Sequence, residues 1–106
     1  MEEMEYLEEI LRETKRLLSD LFTSGLVSAH DGTLEEMVKI SDTCRQCGLT
    51  FAGEKLKELA EEVKANRHRM SGDFNRAVDL FCSLDQYLSL CERKLTLDKV
   101  RTWQKI

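Results

Sequence analysis

Residues 74–95 read FNRAVDLFCSLDQYLSLCERKL, and their apolar side chains recur at Phe74, Ala77, Phe81, Leu84, Leu88, Cys91 and Leu95. The steps alternate between three and four over three heptads, which sets one continuous stripe along one side of a helix. Such a helix is stable mainly through what its stripe packs against. Three other segments of the chain carry a stripe of the same kind.

The first is 3–23. Met4, Leu7, Leu11, Thr14, Leu18 and Leu21 keep the spacing, and Ile10, Leu17 and Phe22 widen it. A stripe this wide suits the interior of a globular bundle better than a two-stranded seam. Gly25 follows as a left-handed cap. The connection SGLVSAHDG is the longest in the chain, with Leu26 and Val27 expected under the bundle end. The second helix is expected over 33–47. Thr33 and Glu36 match the S/T-x-x-E capping box; Met37, Ile40, Cys44 and Cys47 face inward, and Gly48 ends it. The third spans 51–70, with Thr50 as N-cap and a stripe of Leu56, Leu59, Ala60, Val63 and Met70. Leu49 and Phe51 flank the break and should seal that end of the core.

After SGD at 71–73 the fourth helix runs over 73–95. Connections this short make helices two, three and four antiparallel neighbours. Beyond Leu95 the register fails, because Asp98 falls where the stripe demands an apolar residue. Leu97, Val100 and Trp103 form a new, rotated stripe, which predicts a short separate helix over 97–104 or a kinked extension. The expected fold is all-α, one domain over 1–106: an antiparallel, up-and-down four-helix bundle with a short extra C-terminal helix.

The totals agree with that architecture. A chain of 106 residues is one ordinary domain, long enough to bury roughly two thirds of its unfolded surface. It has no proline, so nothing forbids long helices. With 42% apolar and 34% charged residues it is too hydrophobic for disorder and too charged for a membrane protein. The opening MEEMEYLEEI is acidic where a secretory signal is basic. A cytoplasmic chain with reduced cysteines is the expectation. The net charge of −4 is unevenly spread. Residues 1–9 carry five glutamates and no base, whereas residues 92–106 carry five Lys or Arg against two acids.

Little in the chain speaks of catalysis. Cys44-Arg-Gln-Cys47 is a CxxC, and Cys82 and Cys91 bring the possible thiolate ligands to four. Cys82 and Cys91 are nine residues apart on one helix, on different faces, which is poor geometry for a zinc site. The CxxC sits in the last turn of its helix, at the negative end of the dipole, where thiolates are disfavoured. Its cysteines read as small apolar core residues. His30 and His68 have no relay partner at a useful spacing. No phosphate-loop, dinucleotide or Glu-x-x-His motif occurs. No enzyme, no metal and no cofactor is expected.

The run LLSDLFTSGLVSAHDGTLEEMVKISDTCRQCGLTFAGEKLKELAEEV, followed by FNRAVDLFCSLDQYLSLCERKL, resembles the helical region C-terminal to the zinc-binding motif of bacterial SWIM zinc-finger proteins. The shared features are a leucine-rich helix ending in Gly25-Leu26, a helix ending in Gly48-Leu49, the Leu-x-x-Leu-Ala helix at Leu56 to Ala60, and a closing amphipathic helix. They cover roughly residues 10–95. The chain has no CxC and no CxH, so no property of the finger itself transfers to a residue here. The resemblance implies a bacterial, cytosolic accessory protein that works beside larger partners.

The functional expectation is a non-enzymatic protein–protein interaction or assembly module, accessory to a larger complex. Its partner, a protein or a second copy, would be met through Leu97, Val100 and Trp103, since tryptophan is over-represented among interface anchors. Trp103 folding back over the bundle end is the competing structural role. The alternative function is a small helical subunit that binds nucleic-acid backbone through Arg67, Arg69 and Arg76. No aromatic residues are interleaved there for base stacking. No membrane partner is expected.

Overall fold

The computed structural model of the chain describes residues 2–25, 30–66 and 75–104, apart from the side chains of 2–4, 24 and 102–104. Four α-helices and no strand occur among the described residues: α1 (Glu2–Ser24), α2 (Asp31–Gln46), α3 (Thr50–Asn66) and α4 (Asn75–Gln104). α1 and α3 each pack against both α2 and α4 and not against one another, so the helices close a ring in chain order. Cross-helix contacts give the directions. Glu8, Lys15 and Phe22 of α1 meet Lys99, Glu92 and Phe81 of α4, in reverse order along the chain. Phe51 and Glu62 of α3 meet Tyr87 and Arg76 in the same reversed sense. The all-α, antiparallel four-helix bundle is therefore present.

The core lies along the ring's axis. Leu18, Leu21, Met37, Leu56, Leu59, Leu84 and Leu88 are wholly buried there, and each large apolar side chain so buried contributes roughly 1.5–3 kcal/mol. The molecule measures 59 × 21 × 21 Å, two helix diameters across.

The connection between α2 and α3 has a specific cause. Gly48 takes φ +88°, a left-handed conformation that glycine adopts without penalty. The Leu49 amide donates to the Cys44 carbonyl at 2.8 Å and the Gly48 amide to Arg45 at 3.2 Å, the paired bonds of a Schellman motif. Gly25 ends α1 with φ 89°. α3 restarts at once: Thr50 is its first residue, not its cap, and the Gly53 amide donates to the Leu49 carbonyl.

Three further expectations are corrected. The capping box at Thr33 and Glu36 does not open α2. The helix begins two residues earlier, at Asp31, with His30 as an N-cap that makes no side-chain bond, and Glu36 pairs instead with Arg16 of α1. Phe22, expected to widen the core stripe, is 74% exposed and meets Phe81 at the edge of the bundle. The extra C-terminal helix does not exist as a separate element, because residues 97–104 continue α4 without a break.

The last correction follows from the lengths of the helices. Cys44 contacts Thr14, whose neighbour Lys15 meets Glu92, and Phe51 at the start of α3 meets Tyr87, so the α2–α3 turn reaches no further along α4 than about Leu95. Residues 96–104 run on for roughly 14 Å with α1 as the one described helix beside them. An inward position there faces no α2 or α3. Asp98 occupies it half-exposed, and the helix has no reason to stop. Leu26 and Val27, expected under the bundle end, Met70 and Phe74, expected in the stripes of the third and fourth helices, and residues 71–73 between those helices lie outside the described residues.

Candidate interaction surface on helix α4

α4 has a second apolar line that its core stripe does not use. At 100° per residue, Leu90 and Leu97 lie within about 20° of each other and roughly 120–140° away from Leu84. Leu90 is 61% exposed, Leu97 56% and Val100 47%. Together they run along the outer side of α4 from mid-helix to the projecting end. Leu90 was missed in the sequence, although its i,i+7 spacing to Leu97 was a legible signal. Among the expected partner-binding residues, Leu97 and Val100 are thus brought together on one outward surface. The backbone of Trp103 continues the same helix, and its side chain lies outside the described residues.

The charges beside this line that form no ion pair among the described residues are of one sign. Arg93, Lys94 and Arg101 are exposed and form no ion pair among the described residues. A shallow groove of about 620 Å³ beside Leu97 is bordered by Ser89, Glu92, Arg93 and Thr96. The inner edge of α4 is tied to α1 through Lys99–Glu8 in the projecting segment and through Lys15–Glu92 at 3.3 Å before it. The hydrogen bond from Lys99 holds the Glu8 carboxyl below its usual range. The basic, apolar side of α4 therefore faces outward while Glu92 and Lys99 close the α1–α4 seam.

The four cysteines differ in burial, and Cys44 is the one fully inside the core. Cys44 is wholly buried beside Thr14, whose hydroxyl donates to the Ile10 carbonyl at 2.7 Å. Burial pushes the Cys44 thiol up, with Cys47 and Cys91 adding to the effect. Tyr6, hydrogen-bonded to Cys47, and Tyr87, desolvated and hydrogen-bonded to Cys91, are both raised above the ordinary tyrosine range. Cys82 is exposed and distant in register from the other three, and all four thiols are free. Among the described residues no group of three His, Cys, Asp or Glu side chains is placed to hold a metal ion.

The basic cluster between α3 and α4 is not assembled on the described residues. Arg67 and Arg69 lie outside them, and Arg76 is engaged with Glu62 at 3.4 Å. Gly53 is the residue whose role spacing alone concealed. It lies inside the first turn of α3, where a Cβ would stand 2.8 Å from the Ser41 carbonyl oxygen and 2.7 Å from the Arg45 side chain. Its own carbonyl accepts a 2.7 Å bond from the Ser41 hydroxyl. No helix among the described residues is long and apolar enough to cross a membrane. No family model matches the chain, and no curated protein or solved structure is significantly similar to it.

Proposed function

We propose that this protein is a non-enzymatic interaction or assembly module that works by burying the outer side of α4 against a protein partner. The observation that carries the reading is the line of Leu90, Leu97 and Val100. These are three exposed large apolar residues on one side of one helix, and their alignment supports an interaction surface. Their basic flanks add orientation to the contact more than affinity. Trp103 belongs to the proposed surface by its place in the same segment. The resemblance to the helical part of SWIM proteins supports an accessory role beside larger bacterial proteins. A cytoplasmic location is part of the proposal, supported by the four free thiols.

Truncation after Leu95 is a poor test, since it also removes Lys99 from Glu8. The double substitution Leu97→Ser with Val100→Ser is better, because both side chains are exposed and the fold does not depend on them. Wild-type and doubly substituted protein are used as bait in an extract of the native host, with circular dichroism as the control for folding. The reading expects a specific co-purifying protein that is lost in the variant while helicity and Tm are kept. Equal capture by both baits, or none by either, would sink it.

A further inference from the structure

We infer that the occupant of the α4 surface is a second copy of this chain, paired antiparallel across a two-fold axis at Leu90. The inference rests on the reading of α4 as an interaction surface and names its partner.

The outer side of α4 is self-complementary about that residue. Going back from Leu90 in steps of four, three and four, the positions on this side are Gln86, Ser83 and Asp79. Going forward by the same steps they are Lys94, Leu97 and Arg101. All of these side chains are exposed. Asp79, Lys94 and Arg101 form no ion pair among the described residues. Asp79 and Arg101 each stand eleven residues from Leu90, about 16 Å along the helix. An antiparallel two-fold pairing is isologous, so every contact occurs twice. It sets Asp79 of one copy against Arg101 of the other, Gln86 against Lys94, and Leu90 against itself. A parallel pairing would instead set Lys94 and Arg101 against their own images, and like charges directly opposed are unfavourable.

The same operation carries Leu97 of one copy to the level of Ser83 on the other. A groove of about 390 Å³ lies there between α3 and α4, bordered by Asp79, Leu80 and Ser83. Two cations also border it, Lys55 and Arg76, but each is held by an acid of its own, Glu58 at 3.3 Å and Glu62 at 3.4 Å. The groove therefore presents Asp79 as its uncompensated charge to the incoming basic segment. The projecting end of each α4 is covered by the body of the other copy. With two leucines and a few exposed charges in the strip, the dimer is weak and salt-sensitive.

Sedimentation velocity on the full chain over a range of concentrations tests this. At low ionic strength the mass should rise with concentration from 12.3 kDa toward twice that value, and fall back in roughly 0.5 M salt. Leu90→Glu should abolish the dimer, because it opposes two carboxylates on the axis. Asp79→Arg and Arg101→Asp should each weaken it about tenfold or more, and the two combined should restore it, since the swap recreates both pairs. All three positions are exposed, and circular dichroism verifies that each variant is folded. A wild-type protein that stays monomeric at every concentration overturns the inference. So does a dimer indifferent to Leu90→Glu, or a charge swap that fails to rescue. A monomer that still captures a different protein through Leu97 and Val100 refutes the self-pairing while leaving the interaction reading in place.

Discussion

At the scale of single residues, Gly53 is the position where backbone geometry leaves least room. The contact between α2 and α3 is made by backbone atoms, with the Ser41 hydroxyl bonded to the Gly53 carbonyl and the Ser41 carbonyl where a Cβ would go. Alanine at an open helical site is worth up to about 1 kcal/mol over glycine, but overpacking of this kind costs about 1–3 kcal/mol. The clash is with a carbonyl and so has little room to relax. Gly53→Ala is expected to lower Tm by several degrees, and a thermal melt that rises instead would show that the hairpin has slack. Cys44 gives a second prediction at this scale. Its burial predicts very slow alkylation in the folded protein, with Cys82 modified first, as mass spectrometry of a timed reaction would reveal. Its thiol is raised in the folded state by burial, so the folded form holds that proton more tightly than the unfolded chain does. The associated stability is fully present below the unfolded thiol value of about 8.5 and is lost progressively as pH rises beyond it. The melting temperature should decline above about pH 8.5, and more shallowly in Cys44→Ala.

At the scale of the helix, α4 has two faces whose substitutions should behave oppositely. Leu88 is wholly buried on the core side and Leu97 is 56% exposed on the outer side. Leu88→Ala is expected to cost about 2–5 kcal/mol and Leu97→Ala no more than about 0.5 kcal/mol, measured by urea denaturation of the monomer. Comparable losses at both sites would mean that the outer side is packed. The core face was legible in the sequence because three- and four-residue steps leave few alternatives. Leu84, Leu88, Leu56 and Leu59 are where periodicity puts them. The start of α2 was misread because a capping box is a local pattern, and the arrival of Arg16 from α1 gave Glu36 a different partner. The end of the fourth helix was misread for a related reason. A polar residue in an apolar register signals a break only if the neighbouring helices extend that far. The surface strip was half legible: Leu97 and Val100 were visible as a rotated stripe, but its membership in the same helix as Leu90 depended on that continuity.

At the scale of the molecule, the inequality of helix lengths divides the bundle into a four-helix body and a two-helix end. The body owes its stability to a buried core on all sides. Apart from the bond of Tyr6 to Cys47 at the α2–α3 turn, the end has the α1–α4 seam, held in part by Glu8 and Lys99. Exposed helical hydrogen bonds with few apolar contacts open locally at low cost. Amide hydrogen exchange should therefore be slowest near Leu84 and Leu88 and faster beyond Leu95 and before Leu7. The seam also fixes how that end responds to acid. Glu8 is held below its usual range by the bond from Lys99, so its contribution is present above the unfolded carboxylate value of about 4.3. It is lost as pH falls through the folded value. Exchange at the projecting end should thus accelerate more than in the body as pH drops below about 4.3, once corrected for the intrinsic rate. Glu8→Gln should show the faster exchange already at neutral pH. Acid that loosened body and end equally would mean that the seam does not act as a separate unit, and that the two-helix end draws its order from the core below it.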